Sequence, residues 1–264
     1  MPRSYRGREV LLRGQLGGRR REDQGQTGAG RMSRPVVISL CDLTGHFVAP
    51  WVAAGFDAIL VDPQHGVDSV EVLDNGATIT RLAATISEAF TTLGEVIRSG
   101  DVAFVAGFPP CTDMAVSGSR WFNTKRAADA QFQSKAAIVA EQCRTLGELS
   151  GAPYFVENPV SVLSSIFGKP QHIFNPHDFT AFEIGDHYTK KTCLWTGGGF
   201  AMPPRNTDPA LDAIYVDGEL VRAAVAPDDR IHKAPPGPER MNFRSATPMG
   251  FARAVFAANA KVPA

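Results

Sequence analysis

Four short apolar runs constrain the architecture of this chain most tightly. They are VVISL (Val36–Leu40), DAILV (Asp57–Val61), VAFVA (residues 102–106) and APYFV (residues 152–156). Each is of strand length, and each ends at a glycine, a turn or an acid. Continuous apolar runs of this kind suit strands buried on both faces, as in a parallel sheet covered by helices. The first two enclose a glycine turn at Gly45 and a short helix that starts between His46 and Pro50 and ends at Gly55. Strand, glycine turn, helix, strand and acid is the pattern of a nucleotide-binding βαβ unit. The expected fold class is therefore α/β, a mostly parallel sheet flanked by helices.

The remaining elements are read with the same periodicities. Residues 77–79 begin a third strand, followed by an Ala-rich, helix-like run to Ile97. Residues 126–150 predict one long helix, with Ala137, Ile138, Ala140, Cys143, Leu146 and Leu149 at helical spacing and Gly151 as its stop. IYVDGELV predicts a hairpin turning at Asp217-Gly218, and Thr247-Pro248 opens a closing helix. The domain reading is a basic arm at 1–33, a catalytic domain at 34–197, a small insert at 198–243 and a returning segment at 244–264.

Charge and cysteine usage narrow the function classes. Formal net charge is zero, yet residues 1–34 hold nine arginines against three acids. With almost no apolar residue after Leu16, that arm cannot bury enough surface to order itself. It reads either as an arm that touches phosphates or as a start placed too early, with Met32 the natural one. Four widely spaced cysteines without a Cys-x-x-Cys pair exclude a structural zinc site and a disulfide framework, and suit a reducing, cytoplasmic interior. No apolar run is long enough to span a bilayer, so no membrane partner is expected.

Two side chains carry candidate chemistry. Cys111 follows Pro109 and Pro110 on a stiffened loop leaving the strand that ends at Gly107, where a thiol on a rigid loop is a candidate nucleophile. A buried structural cysteine is the competing reading. Glu157, beside Asn158, sits at the end of the run at 152–156. Partly buried there, its carboxyl would hold a proton near neutral pH; a turn cap before Pro159 is the alternative. Asp62 closes the second strand as a ribose acceptor or a strand-end cap, and His65 reads as an exposed loop residue.

From Val36 onward the chain resembles the DNA cytosine-5 methyltransferases, in particular small, divergent, phage-like members with a reduced target-recognition region. SLCDLTGHFVAPWVAAGF resembles their donor-binding turn, GFPPCTDMAVSGSRWF their catalytic loop, YFVENP their Glu-Asn motif, and YTKKTCLW their Gln-x-Arg-x-Arg motif. The sequence departs from the pattern at His46, Thr112, Pro159, Lys190 and Thr192. The resemblance implies a Rossmann-like fold with S-adenosylmethionine as cofactor and DNA, presenting a flipped cytosine, as partner. It places Cys111, Glu157, Asn158 and Lys190 in catalysis. It places Asp42, Leu43, Thr44, Gly45, His46, Phe47, Asp62, Pro63, Gly107, Pro109 and Thr247 around the donor, with no metal. A monomer acting in a short sequence context is expected. The contacts available to the insert are Arg205, Asn206, Arg222, Arg230, His232, Lys233 and Arg240. RNA or a free nucleotide as substrate, or a non-catalytic nucleic-acid-binding relative, are the rival readings.

Overall fold

The computed structural model describes residues 34–233 and 243–261. The basic arm at 1–33 and Arg240 lie outside the described residues, as does the side chain of His232. The described residues all fall within one unit, Ser33–Ala264.

The apolar runs form the centre of an eight-stranded sheet. Its strands are β1 (Val36–Leu40), β2 (Asp57–Val61), β3 (Ser69–Val72), β4 (Thr78–Leu82), β5 (Val102–Gly107), β6 (Tyr154–Pro159), β7 (His172–Phe174) and β8 (Thr192–Gly197). The order across the sheet is β3-β4-β2-β1-β5-β6-β8-β7. The five inner strands from β4 to β6 run parallel, while β3, β8 and β7 pair antiparallel. The fold is thus α/β with a mostly parallel sheet flanked by helices, compatible with a Rossmann-like fold. The chain moves outward from β1 through β2 to β4, then returns to the other side of β1 as β5. Ligand crevices of open α/β sheets form at such a reversal, beyond the carboxyl ends of the strands.

Period-two alternation divides the core between the two faces. Val37, Phe104, Ala106 and Phe155 point to one face, where they meet Phe47 and Trp51 beside helix α1 (Ala49–Ala53). Ile38, Leu40, Val105 and Val156 point to the other, against helices α2 (Ile86–Ser99) and, further on, the helix carrying Ala140, Cys143 and Leu146. The first face is an aromatic cluster, with Phe47 5.2 Å from Phe155 and Trp51 5.3 Å from Phe104 between ring centroids. Helix α2 starts at a capping box of Thr85 and Glu88 and stops at left-handed Gly100 (φ 79°).

Three expectations are corrected. The helix expected at 126–150 is two helices, α3 (Phe122–Ala128) and α4 (Phe132–Ser150). Asp129 turns extended between them, and its carboxylate accepts the Gln131 N–H at 2.9 Å and the Lys135 ammonium at 2.8 Å. Of the expected apolar stripe, Ile138 and Leu149 face solvent while Ala140, Cys143 and Leu146 are buried. Strand β3 was not anticipated, because it is an edge strand exposed along its whole length and lacks an apolar core face. Finally, β6 runs on to Pro159 rather than stopping at Val156. Its pairing with β5 ends at Val156, but antiparallel β8 continues the ladder through Glu157↔Leu194, Asn158↔Cys193 and Pro159↔Thr192.

The hairpin of β9 (Ile214–Val216) and β10 (Glu219–Arg222) forms as expected, as a separate two-stranded sheet. A short helix, α5 (Arg230–Lys233), follows, and α6 (Met249–Asn259) closes the chain. Pro248 is the N-cap of α6 rather than part of its first turn. Phe256 of α6 packs edge-on against Trp51, 5.2 Å between centroids, which returns the C-terminal segment to the face of α1. No described helix is long and apolar enough to cross a membrane.

Candidate active site

Register brings the sequence-predicted residues to one height. Leu40 pairs with Val61 on one side and with Gly107 on the other, and Gly107 pairs with Val156. The next residue of each strand, Cys41, Asp62, Phe108 and Glu157, therefore emerges along one line at the carboxyl edge. The reversal between β1 and β5 lies in the middle of that line.

The Cys111 loop is held from three directions. Phe108 donates its N–H to the Leu40 carbonyl at 2.9 Å, and the buried Pro109 carbonyl accepts from Asn158 Nδ2 at 3.1 Å. Asn158 is fully buried, so its amide braces the Pro-Pro-Cys turn from inside the neighbouring strand. After Cys111, its carbonyl accepts the N–H groups of Met114 (3.0 Å) and Ala115 (2.8 Å). Ala115 then bridges antiparallel to Ser161, with Val116 N–H donating to the Val160 carbonyl and Val162 N–H to the Met114 carbonyl, both at 3.0 Å. The loop after β5 is thus zipped to the loop after β6. Lys125 of α3 adds a clamp, donating to the Thr112 carbonyl at 2.9 Å and to Asp113 Oδ1 at 2.6 Å.

This zipping brings Cys111, Glu157 and Lys190 into one electrostatic neighbourhood. Burial pushes the Cys111 thiol above its ordinary range and the Glu157 carboxylate pushes it further, while Lys190 and Arg244 pull it down. Burial likewise raises the Glu157 carboxyl, opposed by Lys190. Glu157 Oε1 is sealed from solvent without a hydrogen-bond partner among the described residues, and so is Asn158 Oδ1. A sealed, unbonded carboxyl oxygen disfavours ionisation, which acts in the same direction as burial. Lys190 donates to the Ala246 carbonyl at 3.5 Å, which ties the segment before β8 to the returning C-terminal segment. A small cavity behind the carboxyl is lined by Phe108, Glu157, Lys190, Thr192, Thr247 and Phe251.

The expected donor turn divides into scaffold and surface. Asp42 is buried, and its carboxylate accepts from the Ser39 hydroxyl (2.7 Å), the Thr44 N–H (3.0 Å), the Thr44 hydroxyl (3.1 Å) and the Gly45 N–H (2.8 Å). With four donors it shapes the turn and has little acceptor capacity left for a ligand. Gly45 sits at φ 69°, where a Cβ would also lie 3.0 Å from Leu60, so the turn demands glycine there. Phe47 is fully enclosed among aromatic rings and supports the turn from below. Leu43 is half-buried, whereas Thr44 and His46 are exposed. Asp62 caps the turn at 63–65 by accepting the Gln64 N–H on Oδ1 at 2.8 Å, which leaves Oδ2 as an acceptor. Pro63 is exposed beside it. His65, expected to be exposed, is half-buried, with Nε2 sealed and without a partner among the described residues.

Gly107 and Thr247 complete the expected donor set. Gly107 is packed against α4, where a Cβ would meet Cys143 Cβ at 2.6 Å, so this glycine answers to helix–sheet packing. Thr247 lines the cavity of Glu157 and Lys190. Among the described residues, no group of His, Cys, Asp or Glu side chains is placed to hold a metal ion. Sequence reasoning missed the Lys125 clamp and Arg244. The Lys125 side chain reaches back twelve and thirteen residues, across a 3-10 segment that carries no periodic signal.

The sequence matches no family model and no curated protein.

Proposed function

We propose that this protein methylates carbon 5 of cytosine in DNA, using S-adenosylmethionine, in a short or relaxed sequence context. The observation that carries the reading is the convergence of a loop-borne thiol, Cys111, with a half-buried carboxyl, Glu157, whose pKa is raised by burial, at the carboxyl edge of adjacent parallel strands. The order of the four motifs that resemble the cytosine-5 methyltransferases supports it.

Carbon 5 of cytosine is too electron-poor to take an alkyl group unaided. Addition of the Cys111 thiolate to ring carbon 6 turns carbon 5 into a nucleophile. Glu157, bonding ring nitrogen 3 and the exocyclic amine, supplies a proton where negative charge develops. Loss of the carbon 5 proton then expels Cys111 and restores the ring. Asn158 keeps the Cys111 loop in register through Pro109, and Lys190 offsets the charge gathered on the thiolate and on Glu157. Reaching this edge from a duplex requires the target base to leave the stack.

The residues near the turn suit the donor. Asp62 retains one carboxylate oxygen for a vicinal diol, and the turn at 43–46, exposed at Thr44 and His46, lets backbone approach a ligand closely at Gly45. When bound there, S-adenosylmethionine supplies an electrophilic methyl carbon. The relaxed context follows from the insert. Arg230 and Lys233 are ion-paired with Asp228 and Asp229, Arg205 lies 3.4 Å from Asp178, and Arg222 donates to the Asp212 carbonyl at 3.0 Å. Few side chains remain to read base edges.

The test offers labelled S-adenosylmethionine with duplex DNA, single-stranded DNA, RNA and dCTP in parallel. Duplex DNA should acquire label at cytosine carbon 5, and Cys111→Ser should lower that transfer by at least about 10³-fold with the fold intact. Label on RNA or dCTP alone would replace the DNA reading, and full activity in Cys111→Ser would remove the thiol from the mechanism.

A further inference from the structure

The chemistry assigned to Cys111 and Glu157 leaves Trp121 unused. Of the three tryptophans, Trp51 and Trp195 are 0% and 3% exposed, whereas Trp121 is 55% exposed. It ends the 3-10 segment Val116–Trp121 that follows the nucleophile loop. Both sides of it fold back on the residue after Cys111. Before it, a Cβ on Gly118 would lie 3.9 Å from the Thr112 carbonyl oxygen, and after it Lys125 donates to that same oxygen at 2.9 Å. The indole therefore stands on the rim of the Cys111 loop.

Its surroundings are cationic and polar. The Arg120 guanidinium lies over the indole, 5.3 Å from the ring centroid. Lys125 and Lys135 are neutralised by Asp113 and Asp129, but among the described residues neither Arg120 nor Arg126 has a carboxylate partner. Apart from Val116, the exposed neighbours are Ser117, Ser119, Asn123 and Thr124. A protein partner would favour a wider apolar surface, whereas an aromatic ring under the Arg120 guanidinium, which has no carboxylate partner among the described residues, suits a strand that carries both bases and phosphates.

We propose that Trp121 and Arg120 form a stacking platform for an unstacked base of a DNA strand, a base other than the one that reaches Cys111. The inference rests on the reading of this edge as a DNA-facing site. Every base has a π-face, so such a platform holds a strand without reading its sequence.

With Trp51 and Trp195 enclosed, quenching of intrinsic fluorescence reports on Trp121. The full-length protein, without donor, is titrated with a mixed-sequence single-stranded DNA 12-mer and, separately, with polyphosphate of matched charge. The oligonucleotide should quench emission; by anisotropy of a fluorescein-labelled copy of it, Trp121→Ala should weaken binding about 5- to 150-fold, and Trp121→Phe should retain most of the affinity. Equal quenching by polyphosphate, or unchanged affinity in Trp121→Ala, would overturn the platform. So would emission that changes with protein concentration alone together with a dimer in sedimentation, since a second copy would then cover the indole. The methyl-transfer assay on the same preparations separates the two readings. Transfer without a Trp121 response overturns the platform alone, and a Trp121 response without transfer supports the platform and overturns the methylation reading.

Discussion

The Cys111 loop and the β9–β10 hairpin are both excursions from the same sheet, and they are built in opposite ways. The loop is tied by backbone or side-chain hydrogen bonds to Leu40, Asn158, Val160, Val162 and Lys125. Every residue of the hairpin strands is exposed, including Ile214, Tyr215, Val216, Leu220 and Val221. From the hairpin strands, Arg222 donates to the Asp212 carbonyl at 3.0 Å, and the chain beyond them is tied by Val225 N–H to the Leu211 carbonyl at 2.9 Å and by Asp228 N–H to the His187 carbonyl at 3.1 Å. A two-stranded hairpin standing alone is marginally stable. A group that forms a covalent bond must be held close to its reacting geometry, whereas a surface that meets a large partner tolerates movement. The proposed function gives the two excursions those two tasks.

Four perturbations test the comparison. The largest effect is expected from Glu157→Gln, which should lower methyl transfer about 10²- to 10⁴-fold. The same substitution should raise Tm at neutral pH. Burial raises the Glu157 carboxyl above its unfolded value, so its contribution to stability is complete at low pH and lost as pH rises through the folded pKa. The Tm advantage of Glu157→Gln should therefore fade as pH falls to about 4. Equal Tm values for the two proteins across that range would show that Glu157 is solvated.

Next comes Asn158→Ala, which leaves the buried Pro109 carbonyl without its donor. It should cost about 1–3 kcal/mol in urea unfolding and slow transfer by loosening the Cys111 loop. Full stability with full activity would mean that the loop does not need this brace.

Lys190→Met should act more subtly. Lys190 lowers both Cys111 and Glu157, so without it both groups titrate higher. The ascending limb of kcat/KM against pH, set by formation of the Cys111 thiolate, should move to higher pH. An unmoved limb would place Lys190 outside the site.

The smallest effect on stability is expected from replacing residues 214–222 with a short Gly-Ser linker, which should change it by less than about 0.5 kcal/mol. DNA affinity or base context, read by bisulfite sequencing, should change instead. A stability loss as large as that of Asn158→Ala would erase the contrast between the two excursions.

The sequence by itself determined the inner parallel strands, the hairpin and the edge at which Cys111 and Glu157 meet. Apolar runs such as 36–40 and 102–106 are local signals, because a strand buried on both faces must be apolar along its length. Cys111 and Glu157 were legible because each follows such a run, and successive parallel strands end on one edge. Other features were decided only by contacts between segments distant in sequence. Antiparallel β8 extends β6 over Glu157 and Asn158, and Cys143 is what requires Gly107 to be a glycine. The four hydrogen bonds that saturate Asp42 turn an expected ligand contact into scaffold. Edge strand β3 and the break at Asp129 escaped the periodic signal because neither presents an apolar face to the core. Local pattern reports what a segment buries, whereas close packing and long-range hydrogen bonds decide which side chains are left free to react.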